Sequence, residues 1–283
     1  MARRPMRIFG IMAITGLMLS AGPETPRART FRVGGSSTLA PLIQEAVRHL
    51  RRRQPEVVVE VEASTSQRGL DELAEGGVDA ALSGLPPSPA LLRRGVRAWP
   101  LALQAFVIVV NPDVPEQALR DPDWAGLFAI PGVRWPGTTL PAIPILRPRG
   151  TATQQVLEAH VTRGVALPAQ VRTAARTADL LDQVARTPGA LGLAEYGQAR
   201  AWEGRVRILP WRGVPCGPRQ VKAGRYPLVE RGSLYSLPGA LSPEKQKVLE
   251  ALLGVLRDPE FQAAVLDGQL GQFPLGWSEA SQP

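Results

Sequence analysis

Lysine, histidine and cysteine are almost absent from this 283-residue sequence: there are three lysines, His49 and His160, and Cys216 alone. A single cysteine allows no intramolecular disulfide, so the chain must be held by apolar cores, which its length permits. One thiol and two imidazoles leave too few ligands for a zinc site, and no motif calls for a metal or a cofactor. Cys216 reads as a small packed residue. Long apolar runs are also missing. The longest, IFGIMAITGLML near the N-terminus, has twelve residues, whereas a membrane-spanning helix needs about 20.

What is abundant is arginine. The formal net charge is +8, and half of it comes from the first thirty residues, where Arg3, Arg4, Arg7, Arg27 and Arg29 face Glu24 alone. The remainder is too weakly basic and too dispersed for a nucleic-acid surface. MARRPMR, then the twelve-residue apolar run, then SAGPETPRA have the order of a secretory signal: basic head, apolar core, small-residue exit. Residues 1–29 are therefore expected to be a signal peptide, and the rest periplasmic or otherwise exported. An uncleaved membrane tether is the other reading of this segment.

Beyond the leader, strand and helix patterns alternate without internal repeats. Phe31–Val33 reads as a strand running into the turn GGSST. A helix follows, with Leu39, Leu42, Ile43, Ala46, Val47 and Leu50 at helical spacing and Ser37 or Thr38 as its N-cap. Further strands are expected at Glu56–Ala63, Asp79–Leu82, Ala105–Val110, Ala190–Leu193, Val206–Leu209, Tyr226–Val229 and Leu234–Leu237. Helices are expected at Arg68–Glu75, from Thr153 to about His160, near 178–186, and at Pro243–Leu256 and Pro259–Leu266. Prolines and glycines break 112–145 into short pieces. Repeated βα units predict an α/β fold with parallel strands, whose ligands bind at the strand C-termini.

One piece of chemistry recurs three times. GGSST at 34–38, STSQRG at 64–69 and RPRGTAT at 147–153 each precede a helix. A helix start offers unpaired N–H groups and partial positive charge. Glycines and small hydroxyl residues let an anion approach, and Arg147 adds a fork of donors. Each loop alone is ordinary capping chemistry; three in one chain, one with arginine, point to an anion.

GGSSTLAP, STSQRGLDELAEGGVDAALSG, RPRGTATQQVLEAHV, PGALGLAEYGQA and SPEKQKVLEALL, in this order, resemble the phosphate-binding receptors of bacterial ABC phosphate importers. The resemblance covers nearly the whole chain after the leader. It implies a periplasmic-binding-protein fold of type II-like form: two α/β lobes joined by a two-strand hinge around a ligand cleft. Residues 30–105 and 206–283 would form the first lobe and 106–205 the second. It further implies an exported monomer that captures phosphate or a similar tetrahedral oxyanion and delivers it to an inner-membrane ABC permease, with no nucleic-acid partner.

Carried over residue by residue, the resemblance assigns ligand contacts to Ser37, Thr38, Ser66, Arg147, Thr151, Ala152 and Thr153. Ser36, Gln67, Arg68, Ser83 and Arg149 are further candidates. Two departures stand out. Gly84 replaces a family aspartate that accepts the proton of hydrogen phosphate and repels sulfate, which leaves the discrimination against sulfate open. Arg149 replaces an acidic neighbour of the arginine.

An exported phosphatase would need a metal cluster or an activated nucleophile, and neither histidine neighbours a candidate nucleophile in sequence. The chain is therefore expected not to be an enzyme. The alternative to transport is a degenerate relative acting as a sensor or as an interaction or adhesion module.

Overall fold

A computed structural model of the chain describes residues 30–120, 122–269 and 272–274; the expected signal segment lies outside them. In chain order the strands are β1 (Phe31–Ser36), β2 (Val59–Ser64), β3 (Ala80–Ser83), β4 (Arg97–Val110), β5 (Ile143–Leu146), β6 (Arg172–Thr173), β7 (Ala190–Glu195), β8 (Arg207–Leu209), β9 (Val229–Ser236) and β10 (Phe273–Pro274). The helices are α1 (Ala40–Arg53), α2 (Ser66–Glu75), α3 (Pro89–Arg93), α4 (Trp124–Ala129), α5 (Ala152–Val156), α6 (Thr177–Arg186), α7 (Tyr196–Arg200), α8 (Pro218–Lys222), α9 (Pro243–Arg257) and α10 (Pro259–Phe261). The ends of α5 and α10 widen into π-helical turns at Leu157–Val161 and Gln262–Gln269.

The strands are ordered β2-β1-β3-β9-β4-β7-β5-β6, with β8 and β10 also on β4. Two parallel groups, β2-β1-β3 and β7-β5-β6, sit at opposite ends. Antiparallel β9 and β4 join them. β4 belongs to both halves: Arg97–Ala105 pairs with β9, and Phe106–Val110 pairs with β7.

Each half has its own apolar cluster. In the first, α1 buries Leu42, Ile43, Ala46, Val47 and Leu50, and α9 contributes Leu249, Leu252, Leu253 and Leu256. In the second, Phe106–Val110 pack with Leu180, Leu181 and Val184 of α6 and with Trp135. Val206, Trp211, Val221, Tyr226 and Leu228, which precede β9, also pack in this second cluster. β8 accordingly pairs with Ile108–Val110 of β4.

Three expectations about single elements change. Ser37 and Thr38 do not cap α1; Leu39 holds that position and makes no side-chain capping bond. β4 begins at Arg97 instead of Ala105 and takes Pro100 into its ladder where the pairing register with β9 shifts, a place that tolerates a missing N–H. In place of the separate strands expected at 226–229 and 234–237 there is one, β9, which starts only at Val229 and ends at Ser236. Gly232 lies in its middle because a β-carbon there would be 2.5 Å from Leu39 Cδ2.

Candidate functional site

The ends of β1 and β2 and the start of α2 meet because two glycines remove the atoms that would keep them apart. A β-carbon on Gly69 would stand 2.6 Å from Gly35 Cα, so α2 lies directly against β1. Gly35 has φ +120° and faces the Leu82 carbonyl at a distance that no side chain permits. Thr65, in extended conformation, caps α2 by accepting from Arg68 N at 3.1 Å. Gly76 closes the helix in the left-handed region. In the other half, Thr151 caps α5, accepting from Gln154 N at 3.2 Å.

The three loops are tied into a ring. Ser37 N donates to Ser64 O at 3.1 Å, Gln67 N donates to Gly150 O at 3.0 Å, and Arg147 Nη2 donates to Ser37 Oγ at 3.0 Å. The ring closes on a small cavity lined by Ser36, Ser37, Thr38, Ser64, Ser66, Arg147, Thr151, Ala152 and Thr153. All seven residues expected to touch a ligand line this cavity, as does Ser36. Ser64 was missed by sequence reasoning. Its signal was its place one residue before the Thr65 cap, at the C-terminal end of a strand.

The remaining candidates lie outside the cavity lining. Gln67 Nε2 bonds Asp71 at 2.8 Å, and Arg68 Nε bonds Glu72 at 2.8 Å, each one helical turn away. Arg149 is exposed and borders a different cavity, with Gln154 and Glu158. Ser83 is buried in a local turn, donating to Leu85 O and accepting from Leu85 N.

The lining is a set of donors. Arg147 is 3% exposed. One arm of its guanidinium donates to Ala174 O at 2.7 Å and the other to Ser37 Oγ, while buried Nε has no partner. No carboxylate lies within ion-pair distance of it among the described residues. Burial lowers its pKa to about 10, partly offset by the field of Asp179, so it stays charged at neutral pH. Ser37 Oγ and Ser66 Oγ each accept a bond, from Arg147 and from Gly84 N at 3.3 Å. Each therefore keeps a hydroxyl proton to donate. Ser36 and Thr38 share one hydrogen bond at 2.8 Å, which leaves one proton free between them. Thr151 is different: its hydroxyl donates to Pro148 O at 2.9 Å, so it shapes the loop and offers no free proton.

Larger cavities carry other chemistry. One of about 410 Å³ is bordered by Trp124, Trp211, Arg120, Arg163 and Arg212; it has indole walls and arginines on an open surface. No group of His, Cys, Asp and Glu able to hold a metal ion occurs among the described residues, nor any helix long and apolar enough to cross a membrane. Away from the cavity, Glu195 is fully buried and caps α7 through Gly197 N and Gln198 N. Burial raises its pKa to about 8, against the pull of those two amides. Burial and the nearby Glu195 push Cys216 up to about 12.

Comparison with known proteins bears on the fold and the family. The chain is 23% identical over 264 residues to the phosphate-binding protein PstS of Bacillus subtilis (strain 168), covering 90% of this chain and 84% of that one. Its fold matches a Clostridium perfringens structure with bound phosphate at TM-score 0.70 and 14% identity, covering 87% of this chain and 99% of the other. It also matches an ABC-type phosphate transport receptor from Vibrio cholerae at TM-score 0.67 and 15% identity, covering 87% and 100%. The α/β arrangement thus has the same fold as these phosphate-binding structures. The PBP superfamily domain matches residues 20–235, most of the sequence, and the chain belongs to that superfamily.

Proposed function

We propose that this chain is an exported substrate-binding protein that captures phosphate or a similar tetrahedral oxyanion between two lobes and delivers it to an ABC importer. The observation that carries the reading is Arg147: a buried guanidinium without a carboxylate partner, set among hydroxyls that still have protons to give. A buried charge needs an opposite charge, and an oxyanion has only acceptors to offer a ring of donors. The two apolar clusters correspond to the lobes, with β4 and β9 as the hinge strands. The hydrogen bonds at Ser37 and Gly150 join loops from opposite lobes, as domain closure on a ligand requires. Phosphate binding by the named relatives supports the choice of ligand. Binding energy then comes from charge-assisted hydrogen bonds, with no chemical step.

The test is calorimetric titration of the purified protein with phosphate, after bound anion has been stripped by partial unfolding. Micromolar or tighter binding that disappears in Arg147→Ala is the expected outcome. No heat and no thermal shift with any tetrahedral oxyanion would remove this function and favour an interaction module.

A further inference from the structure

Hydrogen phosphate and sulfate have the same shape and differ by one proton. A site tells them apart only if an acceptor, best a carboxylate, faces that proton; with sulfate the same carboxylate meets another acceptor and repels it. The cavity lining contains serines, threonines, one alanine and one arginine, and no carboxylate. Asp179, which adds its field at Arg147, is bound to Arg176 at 3.0 and 3.1 Å on the surface.

Gly84 adjoins the cavity: its N–H holds Ser66 Oγ, which lines it, so a side chain at position 84 is one route by which a carboxylate could reach the cavity. That route is closed. A β-carbon on Gly84 would lie 2.7 Å from Ala152 Cβ, well inside contact distance. Ala152 has little room to give way, because it is the first residue of α5. Thr151 fixes that helix start through its bonds to Pro148 O and Gln154 N. The other atom close to that β-carbon position, at 3.8 Å, is Gln104 Oε1. Gln104 is fully buried, and neither end of its amide has a partner. A neutral amide can turn its oxygen or its nitrogen toward a neighbour, so it imposes no fixed negative acceptor.

We infer that Gly84 and Ala152 form a specificity-determining pair. The alanine methyl occupies the space that an acidic side chain at position 84 would need, and the site in consequence accepts sulfate as well as hydrogen phosphate. The inference rests on the oxyanion reading of the same cavity. It removes the proton-based selection against sulfate that a carboxylate would impose.

Phosphate and sulfate are titrated separately, at one pH, into the wild-type protein and into Gly84→Asp, Ala152→Gly and the double variant, with circular dichroism to check folding. Wild type should bind the two anions within about tenfold of each other. Ala152→Gly is the reference for the double variant and should shift the two affinities alike, since removing a methyl gives neither anion a carboxylate to meet. Gly84→Asp alone should weaken both, since its β-carbon meets the alanine. The double variant should keep phosphate and lose sulfate by about 100-fold or more, because like charges in a dry site repel strongly. Wild-type preference for phosphate by about 100-fold or more, or a folded double variant that keeps phosphate and still binds sulfate like wild type, overturns the inference. If the double variant does not fold, the wild-type comparison alone decides. Phosphate binding without sulfate binding in wild type removes this inference and leaves the phosphate receptor standing, whereas no binding of either anion removes both.

Discussion

Replacing Arg147 by methionine should separate stability from binding. The side chains are of similar length, so the main change is the charge. Burial lowers the guanidinium pKa from 12.5 to about 10, which at ~1.4 kcal/mol per unit is a cost of about 3 kcal/mol in the unliganded protein. Against this stand two charge-assisted hydrogen bonds, to Ala174 O and Ser37 Oγ, worth about 1.5–3 kcal/mol each. The bonds offset the burial cost with about 0–3 kcal/mol to spare, and Arg147→Met should change unliganded stability by no more than about 3 kcal/mol. Ligand changes the balance. A ligand at 100 times its Kd stabilises the native state by about 2.7 kcal/mol, and for a chain of this size each kcal/mol moves Tm by about 2–4 °C. Thermal unfolding with and without phosphate should therefore move Tm by about 5–10 °C in wild type and not at all in the variant. A variant that loses more than about 4 kcal/mol without phosphate, or that keeps the shift, would refute the reasoning.

Glu195→Gln tests the buried carboxyl. Its folded-state pKa is raised from 4.5 to about 8, so as pH rises the unfolded chain releases its proton first, and wild-type stability falls through this window by ~1.4 kcal/mol per pH unit. Urea unfolding at pH 5 and pH 8 should show that fall in wild type and a flatter profile in the glutamine variant; identical profiles contradict the assignment. Gly69→Ala puts a β-carbon 2.6 Å from Gly35 Cα and 2.9 Å from Gly34 O, both backbone atoms. Denaturant unfolding should register a loss of about 1–3 kcal/mol, and phosphate affinity should drop with it because α2 carries Ser66.

The parts of the fold legible in the sequence are those encoded within one element. The apolar spacing of α1 gave its buried face directly, and Gly76 marked the end of α2. The parts that were not legible depend on neighbours in space. Arg97–Gln104 shows no clean alternation and contains Pro100, yet β9 supplies a ladder along it with a register shift at the proline. Glu230, Arg231 and Gly232 look like a turn, but β3 and β4 flank the strand that holds them. The path of residues 206–228 is likewise set by partners: β8 has three residues, and its pairing with Ile108–Val110, with the packing of its flanking residues, holds it in the second half.

The site follows the same division. Its three loops could be found because glycine, hydroxyl and arginine before a helix carry their chemistry locally. Their placement around one cavity was not visible, nor was the commitment of the Thr151 proton to Pro148 O. Gln67 and Arg68 were weighed by charge and position, although Asp71 and Glu72, each four residues on, already offered partners at helical spacing. Gly84 and Ala152 each look innocuous in sequence, and only their contact across the cavity edge gives either a meaning for selectivity. A methyl group against a missing side chain is a steric fact about two loops. Read from Gly84 alone, the substitution is a lost carboxylate; read with Ala152, it is a site whose shape leaves a carboxylate no room. The second reading makes the stronger demand, because restoring selectivity then needs both residues changed together.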